Sequence, residues 1–133
     1  MAVLSDPISD FLTRLKNASA AGNESFKAPY SKMKQDIARI LTEEGYIWKA
    51  EVSGEGIEKI ITVTVKYSEA GKAVITSLKR VSKPGLRQYV GATEVPRVLN
   101  GLGISILSTP KGLLSGASAK KQNVGGEHLA NIW

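Results

Sequence analysis

An alternation of apolar and polar residues in the middle of the chain most limits how it can fold. Between Lys59 and Tyr67 the apolar members are Ile61, Val63 and Val65, and polar residues separate them. A period of two predicts a β-strand with one buried face. Such a strand needs partner strands and other elements that bury its apolar face.

Two amphipathic helices are predicted before this strand. The first starts at Asp6-Pro7, an N-cap carboxylate followed by proline at the first helical position, and ends near Gly22. The second is capped by Ser31 and ends at Gly45, with an apolar stripe that begins at Met33. Each helix therefore has one face suited to packing against a sheet.

Short strands complete this first lobe. Ser25–Ala28 lies between the helices, and Tyr46–Val52 follows the second helix and precedes a glycine-rich turn. The order is helix–strand–helix–strand–strand, and the lobe is assigned to residues 1–68. We therefore expect an N-terminal α/β lobe.

The second half is predicted to be mostly β with a short helix. Its predicted strands are Val74–Val81, Leu86–Val90, Gly103–Thr109 and Glu127–Trp133. A short helix is expected over Pro96–Asn100 and a helical turn over Ala117–Asn123, and the last strand is expected to pair with Gly103–Thr109. The fold class is thus α+β, with two small lobes at 1–68 and 74–133.

The net charge of the chain lies entirely in the second half. Residues 1–75 hold ten basic and ten acidic side chains, whereas residues 76–133 hold eight basic side chains against Glu94 and Glu127. A concentrated positive field attracts polyanions, so nucleic acid is the first candidate partner. A basic surface that serves only solubility is the alternative.

Composition excludes several other classes. There is no cysteine, which rules out disulfides and thiolate metal sites. No apolar run approaches the roughly 20 residues of a membrane helix, and the N-terminus shows no secretion signal. We expect no membrane association.

A basic turn carries the first candidate contacts. Lys83 precedes Pro84 and Gly85 in a predicted type II turn, and Arg87 and Tyr89 share one face of the following strand. Positive charge beside an exposed ring suits backbone phosphates and stacked bases. The alternative places Tyr89 in the core with its hydroxyl hydrogen-bonded.

The end of the strand after Gly101 carries the second set. Ser108 and Thr109 are followed by Lys111 and Gly112. Hydroxyls both donate and accept hydrogen bonds, and the ammonium adds charge, so the group suits phosphate and ribose oxygens. An ordinary hairpin corner is the alternative. The strand itself is expected to be buried on both faces.

Catalysis has little support in the sequence. His128 is the only histidine, and a lone histidine on a terminal strand is typically structural. Glutamates concentrate between Glu43 and Glu58 without metal-ligand spacing, which is typical of a solvated, polyanion-avoiding face. We predict no enzyme activity, no cofactor and no metal site.

Long, ordered motifs then point to a family. They are Asp6–Ile8, Leu12–Asn17, Ser31–Lys34, Glu43–Tyr46, Arg80–Tyr89, Pro96–Ile104, Leu107–Thr109, Lys111–Gly112 and Gly125–Glu127. Across essentially the whole chain, the sequence resembles the eighth protein family of the bacterial small ribosomal subunit.

The resemblance implies a non-enzymatic RNA-binding protein of the ribosome in the cytoplasm. It implies direct binding to a distorted helix in the central domain of small-subunit ribosomal RNA, early in assembly, with ribosomal proteins as neighbours. The messenger RNA of its own operon is left open as a further partner. The implied RNA-binding residues are Ser108, Thr109, Lys111, Gly112, Tyr89, Arg87, Lys83, Arg14, Asn17, Lys32 and Lys34.

The sequence departs from the family pattern at three places. Pro110 stands where a serine is common, and Ser115–Ser118 replaces a Thr-Asp-containing segment. His128 and Asn131 occupy last-strand positions that are usually apolar or aromatic, so we expect different packing there. Three rival classes remain: a DNA-binding module, a small nucleic-acid enzyme and a protein-interaction scaffold.

Overall fold

The computed structural model describes residues 6–96, 98 and 102–133. Its helices are α1 (Pro7–Ala21), α2 (Lys32–Glu43) and α3 (Gly116–Lys121). Its strands are β1 (Ser25–Pro29), β2 (Ile47–Ser53), β3 (Ile60–Val65), β4 (Leu78–Arg80), β5 (Tyr89–Val90), β6 (Ile104–Thr109), β7 (Gly112–Ser115) and β8 (Gly126–Ile132). A single 3₁₀ turn spans Gly56–Glu58. The predicted α+β class and the order of the first five elements are confirmed.

The chain divides into two compact units, Ile8–Thr76 and Ser77–Trp133, and residues 6–7 belong with the second. The domain limits of 1–68 and 74–133 remain a prediction.

The unit Ile8–Thr76 contains an antiparallel sheet in the order β1-β3-β2. The alternation in β3 is confirmed, because Ile61, Val63 and Val65 are all buried. The helices bury Phe11 and Leu41, among other apolar side chains. Burial of each such side chain stabilises the fold by about 1.5–3 kcal/mol, so this core holds the unit together.

The start of α2 differs from the prediction. Ser31 caps the helix as expected, with its hydroxyl accepting a 3.2 Å hydrogen bond from the backbone N–H of Lys34. Met33, however, is 40% exposed, while the side chain of Lys34 is only 5% exposed. Lys34 lies three and four residues before Ile37 and Ala38 on the buried face, so the placement of Met33 in the apolar stripe was wrong.

The unit Ser77–Trp133 contains one sheet in the order β4-β8-β6-β7, and β5 also pairs with β8. The pairing of the last strand with β6 is confirmed. The predicted strands Val74–Val81 and Leu86–Val90 are shorter in the structure, and β7 was not predicted. The helix predicted over Pro96–Asn100 lies largely outside the described residues.

A bulge in β8 changes which of its residues face the same side. Leu107 pairs with His128 and Ile106 pairs with Ala130, which leaves Leu129 as the extra residue. His128 therefore shares a face with Asn131, three positions later. His128 and Asn131, the two last-strand residues that depart from the family pattern, contact each other, with 2.6 Å between His128 Nε2 and Asn131 Oδ1.

Strand β6 is buried on both sides, as expected, since Ser105, Ile106 and Leu107 are all buried. Ser115 is the N-cap of helix α3, and its hydroxyl accepts a 3.3 Å hydrogen bond from the N–H of Ser118. The departing segment Ser115–Ser118 thus forms a helix cap. In the part of the chain that the structure describes, no helix is long and apolar enough to cross a membrane.

Candidate nucleic-acid interface

Two candidate residues, Tyr89 and Ser108, lie in one row across the C-terminal sheet. Tyr89 pairs with Glu127 in β8, and Glu127 pairs with Ser108 in β6. Paired residues of antiparallel strands have side chains on the same face, about 4.5–5.5 Å apart at Cβ. Tyr89 and Ser108 therefore face the same side of the sheet, with only the Glu127 position between them.

The β6–β7 connection places the next candidates beside this row. Thr109 pairs with Gly112, and the Thr109 hydroxyl donates a 2.8 Å hydrogen bond to the Gly112 carbonyl. The Thr109 hydroxyl oxygen also accepts a 3.1 Å hydrogen bond from the backbone N–H of Lys111. Gly112 has a φ of +103°, which favours glycine, and Lys111 and Gly112 are exposed. The corner is both a hairpin turn and an exposed set of polar groups.

The basic turn forms a tight hairpin. Lys83 and Leu86 exchange backbone hydrogen bonds of 3.0 and 2.9 Å, and Gly85 has a φ of +87°. The side chains of Lys83 and Arg87 are exposed. Tyr89 is 70% exposed, so the alternative that buries this ring in the core is wrong.

Glu127 connects the hairpin to β8. Its Oε2 atom accepts hydrogen bonds from the Ser82 hydroxyl and, at 2.9 Å, from Arg87 Nη1. Burial alone would raise the pKa of the Glu127 carboxyl. The hydrogen bonds from Ser82 and Arg87, with the positive charges of Arg87 and Arg80, outweigh burial and hold the pKa below its ordinary value. The site therefore keeps one carboxylate in ionised form.

Arg80 does not join the exposed cations of the turn. Its side chain is 8% exposed and pairs with Asp6 at 3.2 Å. Its Nη1 atom also donates a 2.7 Å hydrogen bond to the Leu129 carbonyl. Arg80 thus holds residue 6 to the C-terminal sheet rather than facing solvent.

The candidates of the other unit have different surroundings. Arg14 is exposed, pairs with Asp10 at 2.9 Å and donates a 3.1 Å hydrogen bond to the Lys27 carbonyl. Asn17 is exposed one turn later on α1, and the exposed side chain of Lys32 lies at the start of α2. These residues belong to the unit Ile8–Thr76.

Lys34 is the exception among these candidates. Its Nζ atom donates a 2.9 Å hydrogen bond to the Pro29 carbonyl, and its stem is buried. The ammonium is thus engaged by the chain itself, which explains how a lysine can lie on the buried face of α2.

No group of acidic, histidine or cysteine side chains suited to hold a metal occurs among residues 6–96, 98 and 102–133. His128 is buried against Asn131, as its structural interpretation expects. The sequence interpretation missed the role of Ser82 and Glu127. The signals were that both residues lie in motifs that carry the family resemblance and that Glu127 is one of two acidic residues in the basic half.

Comparison with known proteins gives a consistent family. The model of the family described as ribosomal protein S8 matches residues 6–133. A protein of Limosilactobacillus fermentum named small ribosomal subunit protein uS8 is 53% identical over 130 residues, covering 98% of both chains. A protein of the same name from Clostridioides difficile is 48% identical with the same coverage. The chain belongs to the ribosomal protein S8 family.

Proposed function

We propose that this chain is an RNA-binding structural constituent of the small ribosomal subunit, located in the ribosome of the cytoplasm. It binds a distorted helix in the central domain of small-subunit ribosomal RNA directly and supports assembly beside other ribosomal proteins. The observation that carries the proposal is the row Tyr89–Glu127–Ser108, with the exposed turn of Lys111 and Gly112 beside it. The names of the relatives agree with it.

Each part of this surface has a distinct chemical task. The Tyr89 ring offers a face on which a base or ribose can stack, and such stacking is worth about 1–3 kcal/mol per base. Ser108 and the Thr109–Gly112 turn offer hydroxyl, N–H and C=O groups to 2′-hydroxyls and base edges of a shallow groove. Lys83 and Lys111 supply charge to phosphates.

The other unit adds phosphate contacts in this proposal. Arg14 and Asn17 are exposed polar side chains on α1, and Lys32 is exposed at the start of α2. Lys34 was included in the predicted set, but its bond to Pro29 gives it a structural task, and we leave it out of the proposed contacts.

The test replaces Ser108 by Ala and measures affinity for three probes of equal length. The probes are a transcript of the central-domain helix, a random RNA duplex and a DNA duplex. Loss of one hydrogen bond costs about 0.5–1.5 kcal/mol, so the transcript should bind roughly two- to tenfold more weakly. Binding to the random RNA and to DNA should be unchanged, because neither uses the shaped groove.

Controls separate contact from folding. Thr109→Ser keeps the hydroxyl that closes the turn and should bind almost as the parent does, whereas Thr109→Ala removes it. Ser53→Ala, on an exposed serine of the other unit, should change nothing. Equal losses on all probes for Ser108→Ala would refute the proposed groove reading, and equal parent affinity for RNA and DNA would favour a DNA-binding module. A transcript of the operon messenger, added as competitor, tests that further partner.

A further inference from the structure

A negative charge stands in the middle of the surface proposed to bind RNA. Glu127 lies between Tyr89 and Ser108 in the row across the sheet, and its side chain is 19% exposed. A carboxylate at this position repels phosphates unless its charge is compensated. The presence of a carboxylate here therefore needs a reason in the structure.

The first reason is the buried hydroxyl of Ser82, which is 0% exposed. This hydroxyl donates to Glu127 Oε2 and accepts a 3.1 Å hydrogen bond from the N–H of Gln88. The backbone adds two links, from Ser82 N to His128 O at 3.0 Å and from His128 N to Gln88 O at 2.9 Å. Both ends of the hairpin are thereby attached to β8 around one carboxylate.

The second reason is Arg87, on the arm of the hairpin that follows the turn. Its Nη1 atom donates to Glu127 Oε2 at 2.9 Å, while its side chain stays 49% exposed. A guanidinium has five N–H donors in a fixed plane, so one bond to Glu127 orients the plane and leaves donors facing outward. The ion pair also cancels the charge of Glu127.

From this geometry we propose that Glu127 is a positioning residue for RNA recognition, acting through Ser82 and Arg87. It holds the hairpin that carries Lys83 in one conformation and orients the Arg87 guanidinium so that its remaining donors face outward. It does not itself contact RNA. The inference rests on the proposed function, since it assigns how the same surface distinguishes its own RNA helix from other RNA.

The expected signature of this role is a change of opposite sign on two RNAs. In Glu127→Gln the amide oxygen can still accept from Ser82, but the ion pair with Arg87 is lost. Arg87 is then a mobile, uncompensated cation. The central-domain transcript should bind roughly tenfold more weakly, as expected for loss of a charged hydrogen bond. A random RNA duplex should bind more tightly, with a salt slope steeper by about one unit.

A merely structural role predicts something else. A carboxylate that only stabilises the fold would, when neutralised, weaken binding of both RNAs in parallel or of neither. Arg87→Gln provides the matched variant, because it removes the other half of the pair from an exposed position. If the two residues act as one unit, the double variant should lose no more affinity for the transcript than the weaker-binding single variant does. Additive losses, or parallel losses on both RNAs, overturn the proposal.

A measurement without RNA keeps the inference separate from the proposed function. Ser82→Ala removes the acceptor of the Gln88 amide, so hydrogen exchange at Gln88 should accelerate, while exchange in β1–β3 of the other unit stays unchanged. Unaltered Gln88 exchange would overturn the proposal that Ser82 and Glu127 hold the hairpin in one conformation. If the unmodified protein shows no preference for the transcript over random duplex, the proposed function fails first, and the RNA-positioning role fails with it, whatever the exchange result.

Discussion

Replacing Gly126 by Ala should test whether the close contact of β8 with β6 builds the candidate interface. A Cβ atom at position 126 would overlap the Ser108 carbonyl oxygen, lie 2.9 Å from the Ser108 carbonyl carbon and 3.1 Å from Thr109 Cα. All three atoms are backbone and cannot rotate away. Carbon atoms pack best at about 3.5–4.0 Å, so the strands must separate by at least about 0.6 Å to relieve the carbon contacts, and by more to relieve the overlap with the carbonyl oxygen.

The cost follows from that displacement. Overpacking of this size typically costs about 1–3 kcal/mol, a large part of a total stability of about 5–15 kcal/mol. The separation would occur next to the Tyr89–Glu127–Ser108 row, so affinity for the central-domain transcript should fall as well. Gly91→Ala is the matched control, since its Cβ would meet the Glu94 side chain at 3.7 Å from Oε2 and 3.8 Å from Cδ, which are ordinary contacts.

The assay is urea unfolding followed by Trp133 fluorescence in a Trp48→Phe background, which leaves one reporter, in the C-terminal unit. Gly126→Ala should lower the urea midpoint while Gly91→Ala leaves it within about 0.5 kcal/mol of the parent. If Gly126→Ala unfolds at the same midpoint as the parent, the close backbone contact does not constrain this sheet and the reasoning is refuted.

Three further outcomes are expected. Lys83→Ala should reduce the salt slope for every RNA by about one unit, whereas Lys79→Ala, on the opposite sheet face, should not; equal changes would contradict the assigned face. Tyr89→Phe should bind the transcript like the parent, but Tyr89→Ala should lose about tenfold or more; a full loss in the Phe variant would indicate a hydroxyl contact instead of stacking. Folding lowers the pKa of Glu127 below 4.5, so the ionised carboxylate stabilises the folded state above that pH. This contribution to the free energy of unfolding is lost as the pH falls through the folded pKa. Glu127→Gln should flatten that acid-side loss in urea midpoints measured between about pH 3 and 6, and an unchanged profile would contradict the assignment.

Local periodicity was enough to predict most of the fold. The two-residue alternation in β3 and the Ser31 cap of α2 depend on neighbours in sequence, and both are present. Strand β7 was missed because Leu113 and Leu114 are adjacent apolar residues in a four-residue strand, with no alternation to signal it.

What could not be predicted depends on contacts that form only in the folded chain. Arg80 begins the Arg80–Tyr89 motif that contains the basic turn, but its charge is paired with Asp6, 74 positions away. Lys34 was expected from the family resemblance to contact RNA, but its ammonium donates a hydrogen bond to the Pro29 carbonyl. In both cases the residue type indicated an exposed charge, and tertiary packing decided otherwise.

The candidate site divides in the same way. The motifs indicated Tyr89 and the Ser108–Gly112 segment, and the register brings them to one region of the sheet. No local pattern could show that Ser82 and Glu127 join the ends of the hairpin, because 45 residues separate them.

The extra residue Leu129 shifts, by one position, the alternation of β8 side chains between the two faces of the sheet. Before it, Glu127 shares the face of Ser108; after it, Ala130 returns to that face instead of Asn131. If β8 kept Leu129 but paired without the bulge, its regular alternation would place Glu127, Leu129 and Asn131 on one face. Either Glu127 would leave the proposed RNA side, or Asn131 would come to it and lose His128. The bulge at Leu129 is therefore as much a part of the proposed RNA-binding surface as any side chain on it.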